Sequence, residues 1–260
     1  MLPGKHGAEV TGRRRAGSFV ELVMEVRGPF EAEPGQFVQV RCDGPGLILR
    51  RPYSIYGLRG NSLSLLVREV GPGSAWLCAA GVGQAIDLLG PLGRGFTLPN
   101  GGRHALVAGG TGIAPLSFLA SRIKERDGDA VVFWGLDRGD ECGDLYGELE
   151  SEFDLRMATM DGSAGYTGSA LALFEASGAE RFTNIYACGP RGMLAGLAES
   201  IGSEALVRLQ VCMEERMACG VGACRGCVVP AASPQGGYLT ACKDGPVFGG
   251  RELDWQRIKG

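Results

Sequence analysis

The sequence predicts a multi-domain protein of the β plus α/β class. An antiparallel barrel comes first, a parallel sheet second and a small cysteine-rich unit last. Short alternating strands punctuated by Gly and Pro occupy residues 1–98, and strands alternate with helices over 99–210. Five of the nine cysteines then fall within 211–260. Helices placed between strands predict crossover connections and therefore a parallel sheet.

The strands of the first unit are visible as period-two patterns. Apolar residues from Val20 to Val26 alternate with Glu21 and Glu25, which is typical of a half-buried strand. A second strand follows the turn in PGQFVQVRC, and a third follows RGN. Several short strands separated by turn residues favour an antiparallel barrel.

The second unit alternates between strand and helix patterns. HALVAGG is a short apolar run typical of a buried strand, and APLSFLASRIKER follows it with apolar residues at helical spacing. Further pairs are AVVFWGL with DLYGELESEF, LRMATMD with GSALALFEAS, and NIYACGP with RGMLAGLAESI.

Composition excludes several classes of protein. The 44 glycines among 260 residues amount to about 17%, against an average of roughly 7%. They have no three-residue period, which excludes collagen, and 45% hydrophobic residues argue against disorder. A net charge of −3 provides no footprint for nucleic acid. No signal peptide or membrane-length apolar run is apparent, so we expect a cytoplasmic protein with reduced thiols and no membrane partner.

The segment RRPYSI contains the first candidate binding residues, Arg51, Pro52, Tyr53 and Ser54. An arginine offers a fork of donors for phosphate, and a tyrosine offers a flat face for an aromatic ring. Taken alone, the segment fits an ordinary turn that leads into a strand better than it fits a binding site.

The segment VREVGPGSAWL contains a second candidate site. Gly71, Gly73 and Ser74 lie between a strand and an apolar, helical stretch. Glycines at a helix N-terminus let backbone N–H groups approach an anion such as pyrophosphate. The alternative is a helix cap in which Ser74 binds no ligand.

The third candidate site combines GGTGIAPL with ACGP. Gly110, Thr111 and Gly112 follow a buried strand and open a helix, as a nucleotide-phosphate loop requires. Pro115 stands where the last glycine of G-x-G-x-x-G would be, so the spacing alone is a weak signal. Cys188, Gly189 and Pro190 end a later strand, and ligands bind at the carboxyl ends of parallel strands. Cys188 by itself could equally be a small buried residue.

The cysteine spacing is the most specific signal in the chain. Cys219, Cys224 and Cys227 form C-x4-C-x2-C, and Cys242 completes the set. This is the plant-type [2Fe–2S] spacing. Zinc is the main alternative, although zinc ribbons favour two C-x2-C pairs and only one is present. Cys212 lies outside the set and is expected to be structural. Cys42, Cys78 and Cys142 have no assigned role.

Together, in this order, RRPYSI, VREVGPGS, GPLGRGF, GGTGIAPL, CGP and the cysteine set resemble the electron-transfer subunit of class B dihydroorotate dehydrogenase. The wider ferredoxin–NADP reductase superfamily shares the R-x-Y-S motif and the glycine loop. The resemblance implies an FAD-binding β-barrel over 1–98, a nicotinamide-nucleotide domain over 99–210 and a [2Fe–2S] domain over 211–260. It also implies a partner, an FMN-containing catalytic subunit, in a heterotetramer with two copies of each subunit.

The resemblance assigns roles to the motif residues. Arg51, Pro52, Tyr53 and Ser54 would hold the flavin ring and pyrophosphate, Val67, Arg68 and Glu69 would line other parts of the flavin, and Gly73 and Ser74 would take its phosphates. Gly110, Thr111, Gly112, Cys188, Gly189 and Pro190 would face NAD. Cys219, Cys224, Cys227 and Cys242 would ligate the cluster. Tyr53 departs from the subunit family, in which many members have an aliphatic residue.

The implied function is electron transfer in pyrimidine biosynthesis, from the partner's FMN through the cluster and FAD to NAD⁺. Flavin must stand between a one-electron cluster and a two-electron hydride acceptor. The chain then needs no catalytic acid or base, and neither His6 nor His104 lies in a motif. One alternative is a stand-alone NAD(P)H reductase for a ferredoxin-type acceptor, and another is a non-enzymatic zinc protein. Asp137 would suit NAD and Arg138 would suit NADP, so the residues leave the coenzyme open.

Overall fold

The computed structural model describes residues 4–98 and 100–259. Its first unit is a closed barrel of six antiparallel strands in the order β1-β2-β5-β4-β3-β6. The strands are β1 (Gly4–Ala16), β2 (Phe19–Val26), β3 (Phe37–Val40), β4 (Arg51–Arg59), β5 (Ser62–Arg68) and β6 (Ala85–Leu92). A short helix, α1 (Pro72–Cys78), connects β5 to β6.

The alternation in the sequence places side chains as the barrel needs them. Val20, Leu22 and Met24 of β2 are completely buried, whereas Glu25 is exposed. The inward residues of the six strands form one apolar core inside the barrel. Closure pairs every strand on both sides, so the barrel has no free edge.

The second unit is a sheet covered by helices. Its strands are β7 (Arg103–Gly109), β8 (Asp129–Leu136), β9 (Asp154–Thr159), β10 (Tyr166–Thr167), β11 (Asn184–Cys188) and β12 (Leu209–Cys212). Its helices are α2 (Ile113–Lys124), α3 (Leu145–Glu152), α4 (Ala170–Ser177) and α5 (Arg191–Ala205), the last interrupted at Gly202. All pairings among these six strands are parallel. The central strands are continuous apolar runs because helices cover both faces.

The C-terminal segment is built on this sheet. Its elements are β13 (Val228–Pro230), β14 (Tyr238–Thr240), β15 (Val247–Gly249) and α6 (Trp255–Lys259). β13 and β14 form a hairpin, and β15 pairs antiparallel with β12. The sheet therefore has seven strands, in the order β10-β9-β8-β7-β11-β12-β15, and extends past the predicted boundary at residue 210. The predicted fold class, barrel, parallel sheet and small C-terminal unit, is confirmed.

One apolar core joins all three parts of the chain. It contains Phe37 from the barrel, Leu194 from α5, and Cys227 and Cys242 from the C-terminal segment. A second core fills the other face of the sheet and includes Phe19 of the barrel. Shared cores fix the three parts relative to one another, because separating them would expose apolar surface to water. None of the helices in the described ranges has the length and apolarity to cross a bilayer.

Candidate functional site

A cleft of about 510 Å³ opens between the barrel and the sheet. All of the predicted flavin residues except Glu69 line it. They come from the start of β4, the end of β5 and the first turn of α1: Arg51, Pro52, Tyr53, Ser54, Val67, Arg68, Gly73 and Ser74. Glu69 is exposed, and its carboxylate lies 3.9 Å from the guanidinium of Arg15, outside the cleft.

Arg51 and the start of α1 form one end of the cleft. The Arg51 side chain passes so close to Gly73 that a Cβ there would lie 2.9 Å from Arg51 Cγ. Its Nη1 donates to the carbonyl of Leu49 at 2.7 Å, which holds the guanidinium beside the helix. The first N–H groups of a helix have no partner within it. A cation next to these donors provides the chemistry for a phosphate group.

Ser74 has a different local role from the cap that its position suggested. It is the third helical residue, and its Oγ accepts from the N–H groups of Val70 and Gly71 at 2.9 and 3.0 Å. The hydroxyl also donates to the carbonyl of Gly71. Ser74 thus closes the turn that presents the backbone to the cleft, and its hydroxyl is already engaged.

Tyr53 contributes an aromatic wall to the cleft. Burial raises the pKa of its phenol, and a hydrogen bond with Cys42 inside the barrel adds to this effect. The phenol therefore stays neutral. The partly buried ring packs against the barrel core, so its position is fixed before any ligand binds.

The C-terminal segment supplies a wall that sequence reasoning missed. Cys212, Met213, Glu214, Glu215, Met217 and Pro246 all line the cleft. Desolvation by the surrounding walls raises the pKa of the Glu214 carboxyl, although its side chain still reaches the solvent of the open cleft. No motif marked these residues, because their position depends on the pairing of β12 with β11 and β15.

The glycine loop and the CGP segment meet at the carboxyl ends of β7 and β11. These two strands are parallel neighbours, with Cys188 opposite Ala108. A Cβ on Gly112 would lie 2.0 Å from the carbonyl oxygen of Cys188, and one on Gly189 would lie 3.0 Å from Gly109 Cα. The predicted nicotinamide residues Gly110, Thr111, Gly112, Cys188, Gly189 and Pro190 are therefore brought together.

A smaller cavity of about 230 Å³ continues from this junction. Gly110, Pro190 and Asp137 line it, together with Leu136, Met160 and Met193. Arg138 does not, because its guanidinium pairs with Asp140 at 3.0 Å. Thr111 lines the large cleft instead. Arg68 borders both cavities, and its Nη2 lies 2.6 Å from the buried carboxylate of Glu141.

Cys188 is a buried neutral thiol. It is the neighbour of Cys212 across the parallel pair of β11 and β12. The hydrogen bond with the Cys212 side chain and complete burial both raise the pKa of Cys188. The thiol therefore has the properties of a small buried packing residue and not those of a nucleophile.

The four motif cysteines lie around one loop and the end of the hairpin. Cys227 and Cys242 are buried at the ends of β13 and β14, where the N–H of Ala241 donates to the carbonyl of Cys227 at 2.8 Å. Cys219 is partly exposed and Cys224 is exposed. Four backbone N–H groups of the loop point at sulfur atoms: Val221 and Cys224 at Cys219, Gly222 at Cys242, and Gly226 at Cys224.

The sulfur atoms fall into two pairs. Side-chain hydrogen bonds join Cys219 to Cys224 and Cys227 to Cys242. Burial would raise the pKa of Cys219, but the N–H groups of Cys224 and Val221 outweigh it and lower the value to about 6. Among the described residues, no three His, Cys, Asp or Glu side chains converge on a single ion. Two pairs of cysteine sulfurs with N–H donors suit the two irons of a [2Fe–2S] cluster.

Comparison with protein families supports this chemistry. Residues 214–254 match the iron–sulfur cluster binding domain of dihydroorotate dehydrogenase B, and residues 106–199 match the oxidoreductase NAD-binding domain. The first match covers all four cysteines of the motif, so the family model favours iron–sulfur over the zinc alternative. The second begins in β7 and ends in α5.

Two similar solved structures share the fold. One is an NADH-dependent reduced ferredoxin–NADP oxidoreductase studied for flavin-based electron bifurcation; it has a TM-score of 0.83 and 27% identity, over 96% of this chain and 91% of that one. The other is a ferredoxin NADP⁺ reductase from Neisseria gonorrhoeae with bound FAD and NADP, with a TM-score of 0.65 and 16% identity, over 80% and 97%. The second shows the fold alone.

Relatives that match over most of their length establish the family. The dihydroorotate dehydrogenase B (NAD(+)) electron transfer subunit of Caldanaerobacter subterraneus subsp. tengcongensis is 34% identical, over 94% of this chain and 96% of that protein. The subunit of the same name from Desulforamulus reducens is 39% identical, over 86% and 88%. The resemblance seen in the motifs is confirmed, and the chain belongs to the family of dihydroorotate dehydrogenase B electron transfer subunits.

Proposed function

We propose that the chain passes electrons from the FMN of a dihydroorotate dehydrogenase catalytic subunit, through a [2Fe–2S] cluster and FAD, to NAD⁺. One observation carries this proposal. Met217 lines the large cleft, and the first cluster cysteine, Cys219, follows two residues later. Thr111 of the glycine loop lines the same cleft. The flavin cleft, the nicotinamide loop and the cluster loop are therefore contiguous.

The residues present fit the groups that this function needs. Arg51 and the first turn of α1 would bind the flavin pyrophosphate, and Tyr53 would hold the ring. The cluster carries only one electron at a time, whereas NAD⁺ accepts a hydride. Bound FAD would supply the chemistry that converts one kind of transfer into the other. Gly110 and Pro190 line the smaller cavity, in which the nicotinamide nucleotide would lie. Gly112 packs against the carbonyl of Cys188 and holds the two strand ends close together.

The partner supplies the oxidation of dihydroorotate. The names of the relatives describe an electron transfer subunit, which requires a catalytic subunit to transfer from. An FMN group on that subunit, two copies of each chain and a place in pyrimidine biosynthesis complete the proposal. We also place the assembly in the cytoplasm, where the nine free cysteines would stay reduced.

The test is co-purification of this chain with a catalytic subunit of dihydroorotate dehydrogenase type. We expect the complex to contain FMN, FAD, iron and sulfide, and to reduce NAD⁺ when dihydroorotate is added. A stable complex that never reduces NAD⁺ with dihydroorotate would refute the function.

Cys224→Ala tests the route through the cluster. The variant should lose dihydroorotate-dependent NAD⁺ reduction and keep NADH oxidation by an artificial acceptor, because the second reaction needs only FAD. Cys142→Ala is the control for removal of a cysteine outside the loop, and it should retain both reactions. Equal loss of both reactions in Cys224→Ala would mean that the cysteines serve only the fold.

We infer NAD and not NADP as the coenzyme. Asp137 lines the smaller cavity, where a carboxylate suits the free 2′-hydroxyl of NAD. The Arg138 guanidinium is directed to Asp140 and is not available in that cavity for a 2′-phosphate. Asp137→Ala should lower kcat/KM for NAD⁺ relative to NADP⁺. An unchanged ratio would remove Asp137 from coenzyme selection.

One observation favours an alternative function, in which the chain transfers electrons to ferredoxin without a catalytic subunit. The electron-bifurcating oxidoreductase covers nearly the whole chain at 27% identity. A stand-alone NAD(P)H reductase with a ferredoxin-type acceptor would therefore share the architecture. Reduction of ferredoxin by the isolated chain with NADH, at a rate that the catalytic subunit does not change, would favour this alternative.

A further inference from the structure

Gln39 is a buried polar residue on the outer face of the barrel. It lies in β3, where Val38 and Val40 point into the barrel core. Gln39 therefore points the opposite way, like Phe37, towards the core shared with the C-terminal segment. That segment covers this face of β3, and Gln39 is completely buried as a result.

The amide of Gln39 lacks a partner. Neither its Nε2 nor its Oε1 makes a hydrogen bond with any residue in the described part of the chain. Buried polar groups are almost always hydrogen-bonded, because losing water without a replacement is costly. An unpaired amide in a closed position thus indicates a ligand that the protein alone does not provide.

The cluster loop lies directly against this amide. A Cβ on Gly220, the residue after Cys219, would lie 2.8 Å from both Cγ and Nε2 of Gln39. On the strand side, Gln39 is paired with Pro52 of the predicted flavin segment. The side chain therefore lies between the strand that lines the flavin cleft and the loop that carries the cluster cysteines.

The acceptors that a cluster brings to this place are sulfur atoms. The loop already directs four backbone N–H groups at cysteine sulfurs, and all four donors come from the loop itself. We propose that Gln39 Nε2 donates a further hydrogen bond, from the barrel side, to a sulfur of the bound cluster. This role would explain why Gln39 lies beneath Gly220 and why its Nε2 has no partner in the protein.

A hydrogen bond to sulfur has a defined electronic effect. Reduction adds negative charge to the cluster, and a donor stabilises that charge, which raises the reduction potential. Gln39 thereby makes the potential of the cluster depend on a residue of the flavin barrel. The inference rests on the cluster of the proposed function but is independent of the partner subunit.

The test is an EPR-monitored redox titration of the full chain loaded with FAD and cluster. Gln39→Leu removes the donor with little change in size, and we expect a lower midpoint potential. Gln84→Leu, on the barrel and paired with the N–H of Gly81, is the matched control and should leave the potential unchanged.

A second measurement covers the case in which Gln39→Leu fails to assemble a cluster. With ¹⁵N in glutamine side chains, pulsed EPR of the reduced wild-type cluster should detect a nitrogen coupling that remains in Gln84→Leu. An unchanged potential in Gln39→Leu, or no such coupling in the wild-type protein, would overturn the proposal. Neither readout uses dihydroorotate, so this inference and the proposed function fail separately.

Discussion

Gly112 and Gly222, one in each of the two glycine-rich loops 109–112 and 219–227, are glycine for different physical reasons. In the nucleotide loop, Gly112 lies against the carbonyl of Cys188 in the neighbouring strand, so the missing side chain permits close backbone contact. In the cluster loop, Gly222 has a φ of +80°, and its N–H points at Cys242 Sγ at 3.1 Å. Gly112 is required for space, whereas Gly222 is required mainly for backbone direction.

The cysteines beside the two loops also differ, in the pKa of their thiols. Cys188, beside the nucleotide loop, is buried, and the pKa of its thiol is raised. Cys219, in the cluster loop, receives two backbone N–H groups, and its pKa is lowered to about 6. The hydrogen bond with Cys212 and burial therefore keep Cys188 as a neutral thiol. Directed N–H groups favour the thiolate of Cys219, which is the form that binds metal.

Gly112→Ala should have the largest effect. The new Cβ would lie 2.0 Å from the carbonyl oxygen of Cys188, and neither partner can move because β11 is central in the sheet. We expect a loss of about 3 kcal/mol or more in the free energy of unfolding, measured by thermal denaturation.

Gly147→Ala is the control for that substitution. Gly147 is exposed in α3, and a Cβ added there would have no neighbouring atom within 4 Å. Alanine there should stabilise the protein by roughly 0.5–1 kcal/mol, because it favours the helix. Similar melting temperatures for the two variants would contradict the close contact at Gly112.

Gly222→Ala should have an intermediate effect. A positive φ costs a residue with a Cβ about 1–2 kcal/mol, and the side chain of Lys243 must also move. If the loop relaxes, its N–H turns away from Cys242. We expect faster loss of the cluster's visible absorption in the presence of a chelator, with FAD retained. Wild-type chelator resistance would show that backbone direction at this position is unimportant.

Asp244→Asn tests the turn that carries Cys242. Asp244 Oδ2 accepts from the N–H and Oγ1 of Thr240, both at 2.7 Å, and these bonds lower the pKa of its carboxyl below 3.8. The variant should be about 1 kcal/mol less stable at pH 7.

The pH dependence of Asp244 follows from the sign of that shift. A carboxyl whose pKa is lowered on folding contributes stability above its unfolded value and loses it as the pH falls through the folded value. The difference in unfolding free energy between the wild type and Asp244→Asn should therefore be constant near neutrality and disappear in acid. A difference that persists at low pH would mean that the charge is not responsible.

Gly226→Ala should have the smallest effect. Its backbone is outside the left-handed region, and a Cβ would lie 3.7 Å from Cys224 Sγ, an ordinary contact. We expect a change of less than about 0.5 kcal/mol and wild-type cluster content, measured as iron and sulfide per chain. If Gly226→Ala loses the cluster as readily as Gly222→Ala does, added side-chain volume and not backbone direction would determine cluster retention in this loop.

Local patterns were sufficient to predict most of the architecture. Alternation around Leu22 predicted a barrel strand, helical spacing from Leu116 to Ile123 predicted α2, and both elements are present. The strand β15 was not predicted, because its three residues carry no period and form a strand only against β12. Short elements depend on their partners more than on their own sequence.

The sequence by itself determined the fold class, the family and the chemistry of the cysteine spacing. These depend on order along the chain, on hydrophobic period and on residue type, all of which are local properties. The tertiary structure decided which side chains share a cavity: Glu69 points away from the cleft that Met217 lines, and Arg138 is directed to Asp140 while Asp137 faces the smaller cavity. It also placed Gln39 beneath Gly220, about 180 residues away in the chain, because strand pairing and shared cores set such distances and local spacing does not.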